Sequence, residues 1–157
     1  MKLFTKSLAV VGVSAAIIAT TALADSHAKV NPAVAARQSQ MQIIGYSIGI
    51  LGATAKGEME FNAEMVASAA RNINALAQMD RASLWIDGTE QGAEAGSRAK
   101  AEIWMDTEGF DKKMQALADA SAALIDAQDA AAVGAGMGAL GGACKDCHET
   151  FRGPKNE

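Results

Sequence analysis

The five residues Cys144-Lys145-Asp146-Cys147-His148 constrain this chain more than any other stretch. They form the pattern C-x-x-C-H, which is typical of c-type haem attachment. Residues three and four apart share one face of a helix, so both thiols can add to vinyl groups on one edge of a porphyrin. The imidazole of His148 can then bind the iron. The motif predicts one covalent haem c, with Cys144 and Cys147 as attachment points and His148 as the proximal ligand.

Two other uses of a C-x-x-C pair fit the chain less well. A thioredoxin-like redox disulfide requires a βαβ context, and no strand pattern precedes the motif. A structural zinc site requires four ligands, whereas the chain has two cysteines and two histidines in total. The second histidine, His27, is far from the motif in sequence.

Residues 1–24 read as a secretory signal peptide. Lys2 and Lys6 form a charged start, residues 8–19 are apolar, and residues 22–24 are an A-x-A cleavage site. A spanning helix needs about 20 apolar residues, which this run does not supply. We therefore expect export to the periplasm and, in the mature chain of residues 25–157, no membrane span.

The charge and composition of the mature chain exclude some partners and favour one fold class. Removal of Lys2 and Lys6 leaves twelve bases against eighteen acids, a net charge of −6. An acidic surface argues against nucleic acid and against anionic membranes. Alanine, leucine and methionine are abundant and aromatic residues make up 4% of the chain, which favours helices. We expect one all-α domain.

Apolar residues recur at spacings of three and four along four segments, the pattern of a helix bundle. Asn31 and Pro32 predict the start of a helix that runs to about residue 56. The other predicted helices begin at caps Asn62, Ser97 and Asp129 and end near residues 80, 126 and 152. The predicted architecture is an antiparallel four-helix bundle around the haem.

Residues 81–98 form a predicted crossover, because glycines interrupt the helical pattern there. Trp85 and Ile86 are its large apolar residues, and we expect them to fix it to the bundle. Trp104, which follows the crossover, has two interpretations that the sequence leaves open. It packs on the haem, or it covers the junction between the bundle and the crossover.

Two residues on the inner face of the first predicted helix suggest contacts with a cofactor. Arg37 is charged and has no acidic residue one turn away, so burial would require an anion such as a haem propionate. The alternative is that Arg37 extends to water at the end of the bundle. Met41 follows one turn later. It is either an ordinary core residue or a sixth ligand of the iron.

The chain resembles the cytochrome c′ family, the class II c-type cytochromes. The resemblance rests on Arg37-Gln38 followed by Met41, on Ala101-Glu102-Ile103-Trp104 leading to Phe110, and on a C-x-x-C-H motif in the last helix. It implies that Arg37 and Gln38 lie on the propionate side of the haem and that Met41 occupies the distal position. Low-spin members of the family use a methionine there as the sixth ligand. High-spin members leave the iron five-coordinate.

The resemblance leaves two functions to weigh. The first is periplasmic electron transfer, with the iron bound by His148 and Met41. The alternative is a five-coordinate cytochrome that binds nitric oxide or carbon monoxide. An enzyme such as a peroxidase is disfavoured, because it needs a distal acid–base residue. The expected partners are periplasmic redox proteins. Family members often dimerise through their first two helices, and the sequence does not decide this point.

Overall fold

The computed structural model describes residues 30–155, so the predicted signal peptide and His27 lie outside the part described. The elements in chain order are α1 (Pro32–Ala55), α2 (Ala63–Ala77), α3 (Glu102–Met105), α4 (Thr107–Ala122) and α5 (Ala130–Phe151). Helix α1 packs on α2, α2 on α4, α4 on α5, and α5 on α1. The four long helices therefore close an antiparallel bundle, as predicted. Within residues 30–155 every helix is too short or too polar to cross a lipid bilayer.

Three of the four predicted helix caps are confirmed. Asn31 accepts a hydrogen bond from the backbone of Ala33, and Asn62 accepts one from Met65, each at 2.9 Å. Asp129 accepts one from Ala132 at 2.7 Å. Each bond satisfies a backbone N–H group that has no partner within its own helix.

The prediction that Ser97 caps the third helix is wrong. Ser97 is buried in the crossover, where its hydroxyl donates to the carbonyl of Thr89 at 2.7 Å. The helix is divided instead at Asp106, whose backbone is non-helical and whose carboxylate caps α4 by accepting from Gly109 at 2.9 Å. A capping aspartate competes with the helical path, so the segment becomes the short α3 and the longer α4.

The crossover between α2 and α4 runs beside the end of α5. The amide of Lys100 donates to the carbonyl of Phe151, and the amide of Gly153 donates to the carbonyl of Arg98. These two bonds connect the crossover to the helix that carries the cysteines. Trp85 packs on Phe110 as expected, with ring centroids 4.8 Å apart. Ile86 is 47% exposed, so the expectation that it fixes the crossover to the bundle is wrong.

Two hydrophobic clusters form the core. The larger one joins all four long helices and includes Ile44, Leu51, Ile73, Leu117 and Leu140. The smaller one lies where the crossover meets α4 and α5, and its buried members are Ala99, Ile103, Phe110 and Phe151. The crossover therefore completes the core at one end of the bundle.

Candidate haem site

A cavity of about 490 Å³ lies between α1, α4, α5 and the crossover. Residues of both hydrophobic clusters line it, among them Ile44, Leu117, Ile103 and Phe110. Sites for small molecules and cofactors typically enclose roughly 300–1,000 Å³ and are mainly apolar. The cavity therefore has the size and the lining that a buried cofactor requires.

Both cysteines of the motif line this cavity from α5. Cys144 and Cys147 are half-buried and are not joined in a disulfide. Burial raises the pKa of Cys144, and it raises the pKa of Cys147 to about 11, with Cys144 adding to the rise and Lys113 and Arg152 opposing it. The thiols are therefore neutral at pH 7, and both are available for thioether formation.

His148 also lines the cavity. Burial lowers its pKa, and the charges of Arg152 and Arg98 lower it further. The neutral imidazole is the form that binds a metal, so this environment favours ligation. Among residues 30–155 no cluster of three or more His, Cys, Asp and Glu could hold an ion alone.

Met41 enters the cavity lining from α1 and packs against the larger hydrophobic cluster. The residues of α1 that line the cavity beside it include Val34, Ile44 and Ile48, which are apolar. The α1 side of the cavity thus combines a thioether and aliphatic side chains with the polar side chains of Arg37, Gln38 and Gln42. This position is compatible with both interpretations of Met41.

Arg37 is 4% exposed, so the alternative that it extends to water is wrong. Its guanidinium donates to the Thr89 and Ser97 hydroxyls, both at 2.7 Å, to the Leu84 carbonyl at 3.3 Å, and to the Thr89 carbonyl. It also lies 5.1 Å from the ring centroid of Trp85. Neutral acceptors of the crossover and an aromatic face therefore solvate this charge, and no carboxylate within residues 30–155 forms an ion pair with it.

Burial lowers the pKa of Arg37, and the more distant Glu90 and Glu94 oppose the shift. Arginine stays charged in proteins, so the crossover surrounds a permanent cation. Gln38 is exposed, and its amide donates to the Gly96 carbonyl at 2.9 Å. Both Arg37 and Gln38 line the cavity. Their predicted contact with haem propionates stays a prediction.

Several residues of the lining were not singled out from the sequence as site residues. Met114 and Lys113 contribute from α4, and Arg98 contributes from the crossover. Apolar residues at spacings of three and four predict that Met114 lies on the inner face of its helix, but this spacing does not separate a core residue from a cavity residue. Lys113 and Arg98 carried no local signal, because tertiary packing decides which side chains of α4 and of the crossover face the cavity.

Trp104 lies between the crossover and the smaller hydrophobic cluster. Its indole nitrogen donates to the carbonyl of Trp85 at 2.9 Å, and it packs against the smaller hydrophobic cluster. It is not among the residues that line the cavity. Of the two interpretations, the structure therefore supports the one in which Trp104 covers the junction between the bundle and the crossover.

The donor set fits a haem c. Two neutral thiols and one neutral imidazole lie on one helix at the wall of an apolar cavity, and the cationic residues Arg98, Lys113 and Arg152 line the same cavity. The thiols suit thioether bonds, the imidazole suits iron, and the cations suit carboxylate substituents.

Comparison with known proteins agrees with this donor set. A sequence model described as cytochrome c′ matches residues 32–152. A cytochrome c′ from Cereibacter sphaeroides is 37% identical over 121 residues, which cover 76% of this chain and 81% of that protein. The chain belongs to the cytochrome c′ family. It is accordingly a monohaem cytochrome with one covalently attached haem c.

Two further members of the cytochrome c′ family bear on function. A cytochrome c-554 from Cereibacter sphaeroides is 32% identical over 138 residues, covering 87% of this chain and 90% of that protein. The nitric oxide complex of a variant cytochrome c prime from Alcaligenes xylosoxidans has a TM-score of 0.66 and 30% identity. That match covers 78% of this chain and 94% of the other.

Proposed function

We propose that this cytochrome c′ binds a small diatomic ligand, nitric oxide or carbon monoxide, at the iron of its haem. The observation that carries this proposal is the aliphatic part of the wall that α1 presents to the cavity. It consists of Val34, Ile44 and Ile48, and Met41 also lines the cavity there with its side chain against the larger hydrophobic cluster. Such a wall shields an iron without competing for it. The related cytochrome c prime solved as a nitric oxide complex supports the same function.

Different residues of this chain contribute to that function in different ways. Cys144 and Cys147 tether the haem to α5, and His148 supplies a neutral imidazole to its iron. The haem supplies the redox-active iron at which a diatomic ligand binds. Val34, Ile44 and Ile48 exclude water from the α1 side of the cavity. Arg37 holds the crossover against the bundle and so maintains the cavity wall.

Electron transfer is the second candidate function. It is favoured by the thioether of Met41, which lines the same cavity as His148 from the neighbouring helix. A methionine as sixth ligand raises the potential and suits an electron carrier. In this case Met41 would leave the hydrophobic cluster and bind the iron, and periplasmic redox proteins would be the partners.

The absorption spectrum of the ferrous and ferric protein separates the two functions. Diatomic binding predicts a broad high-spin spectrum and carbon monoxide uptake without displacement of a ligand. Met41→Ala should then leave the spectrum high-spin. Electron transfer with Met41 ligation predicts a low-spin spectrum that the same substitution converts to high-spin, and that result would contradict our proposal.

Met137→Ala is the matched control for that experiment. Met137 is also half-buried and packs against the larger hydrophobic cluster, but it is not among the residues that line the cavity. Its replacement should cost stability without a spectral change. A spectral change of equal size in both variants would indicate a general effect of core packing. The spectrum of Met41→Ala would then say nothing about whether Met41 binds the iron.

The proposed compartment is the periplasm, because residues 1–24 have the features of a signal peptide. The mass of the exported protein tests this directly. A mature chain that begins at residue 25 is expected, and a chain that retains residues 1–24 would contradict the proposal. Size-exclusion chromatography of the same sample decides between a monomer and a homodimer.

A further inference from the structure

A second cavity of about 140 Å³ adjoins the haem site. It lies between the middle of α1, the end of α2, the crossover and the first half of α4. We call this cavity the side chamber. Trp85, Phe110 and Met114 line both the side chamber and the larger cavity, so one layer of side chains separates the two.

The outer part of the side chamber is polar. Gln78 and Gln115 are exposed members of its lining, and Arg81 and Asp111 form an ion pair with 3.1 Å between the charged atoms. The side opposite these residues is the shared apolar wall. The side chamber therefore runs from groups that contact solvent to groups that contact the haem cavity.

A buried acceptor gives the side chamber a second distinguishing feature. Gln40 is 4% exposed and belongs to the lining, and its amide nitrogen donates to the Leu76 carbonyl at 2.7 Å. Its carbonyl oxygen, Oε1, has no hydrogen-bond partner among residues 30–155. A buried acceptor without a partner is costly, and a water molecule in a polar cavity of this size would satisfy it.

The three side chains of the shared wall differ in the contacts that hold them. Trp85 and Phe110 are in edge-to-face contact, Phe110 makes a second such contact with Phe151, and Trp104 donates to the carbonyl of Trp85. Met114 packs against both hydrophobic clusters, but it is unbranched, has three rotatable bonds and makes no hydrogen bond with any residue from 30 to 155. A change of its rotamer is therefore the least costly way to connect the two cavities.

We propose that the side chamber is a hydrated access route for a neutral diatomic ligand, and that Met114 is its gate. The inference rests on the proposed ligand-binding function. The residues that line the side chamber come from α1, α2, the crossover and α4, whereas His148 is on α5. The route would thus bring a ligand to the cavity from elements that do not carry the iron-binding histidine.

The test is the kinetics of carbon monoxide binding to the reduced holoprotein, measured by stopped flow and flash photolysis. Met114→Trp fills the gate, and Gln115→Trp obstructs the outer part without touching the haem cavity. Both should slow association and dissociation alike, by roughly tenfold if the barrier rises by about 1.4 kcal/mol. A route changes rates only, so the equilibrium affinity should stay constant in Gln115→Trp, because Gln115 is not among the residues that line the haem cavity.

Gln128→Trp is the matched control, because Gln128 is exposed and is not among the residues that line the side chamber. Its rates should equal those of the wild type. Unchanged rates in Gln115→Trp and Met114→Trp, or slowing of the same size in the control, would overturn the inference. The access role would also be overturned if both chamber variants changed the equilibrium affinity for carbon monoxide while the yield of its photolysis stayed unaltered.

A crystal structure of the holoprotein provides a readout that does not depend on the iron. An ordered water within hydrogen-bonding distance of Gln40 Oε1 is expected, and a dry side chamber would contradict the inference. A holoprotein that takes up no carbon monoxide at all would defeat the proposed function and the access role with it. Uptake with unchanged rates in the chamber variants would defeat the access role alone.

Discussion

The guanidinium of Arg37 donates a hydrogen bond of 2.7 Å to the hydroxyl of Thr89, which connects α1 to a crossover 52 residues further along the chain. The same guanidinium reaches the Ser97 hydroxyl, and Ser97 in turn donates to the Thr89 carbonyl. One buried cation thus holds the middle and the C-terminal end of the crossover, the segment that closes the haem cavity. The geometry of the site depends on this arrangement as well as on the motif in α5.

Arg37→Gln should lower the free energy of unfolding by about 3 kcal/mol, because it leaves several buried acceptors of the crossover without donors. Denaturant titration of the holoprotein measures this change. Gln38→Ala is the neighbouring control. Gln38 is exposed and makes one bond to the Gly96 carbonyl, so its loss should cost less than about 1 kcal/mol. Equal costs for the two variants would contradict the role given to Arg37.

Trp104→Phe should cost about 1 kcal/mol of stability, because the Trp85 carbonyl loses a hydrogen-bond donor. The absorption spectrum of the haem should stay unchanged, since Trp104 is not among the residues that line the cavity. Trp85→Phe is the comparison, because Trp85 does line the cavity and its replacement should perturb the spectrum. A larger spectral shift in Trp104→Phe than in Trp85→Phe would indicate that Trp104 packs on the haem.

Gly136→Ala should destabilise the protein by about 1–3 kcal/mol, although alanine favours helix formation. A Cβ at this position of α5 would overlap the buried side chain of Leu124. Gly138→Ala is the control two residues away, where a Cβ meets nothing within 4 Å. That change should stabilise the protein by roughly 0.5–1 kcal/mol. Thermal unfolding of both variants checks the opposite signs, and a stabilised Gly136→Ala would show that α5 does not approach Leu124.

Asp106→Ala should lower stability by about 1 kcal/mol, because α4 loses its N-terminal cap at Gly109. Asp126→Ala is a suitable control, since Asp126 is exposed and follows the end of α4; its replacement should change stability by less than about 0.5 kcal/mol. The comparison requires only denaturant titrations. An unaffected Asp106→Ala variant would mean that α3 and α4 act as one continuous helix.

The parts of the fold that the sequence predicts correctly depend on local chemistry. Asn31, Asn62 and Asp129 cap their helices through bonds to residues two or three positions away, so a short window of sequence contains the whole interaction. The spacing of Cys144 and Cys147 likewise places both on one face of α5, and both line the cavity. Such features need no knowledge of the tertiary structure.

The parts that the sequence does not predict depend on distant neutral groups. Charge counting suggested that Arg37 needs an anion, whereas hydroxyls and carbonyls of the crossover solvate it in the structure. Ser97 has the features of a helix cap but serves instead as one of these partners. Neutral acceptors leave no pattern in a sequence, and the path of an irregular crossover is set by tertiary contacts. Met114 was not recognised as a cavity residue for a different reason, because apolar spacing identifies the inner face of a helix but does not separate core residues from residues that line a cavity.

The covalent attachment of a haem to α5 is the central claim, and mass spectrometry tests this attachment directly. The protein should be exported from a strain that matures c-type haem, extracted with acid acetone and digested. The haem should remain on the peptide that contains Cys144 and Cys147, attached to both sulfurs, and the double substitution of both cysteines by serine should abolish it. A colourless protein after extraction, or haem on any other peptide, would contradict the account.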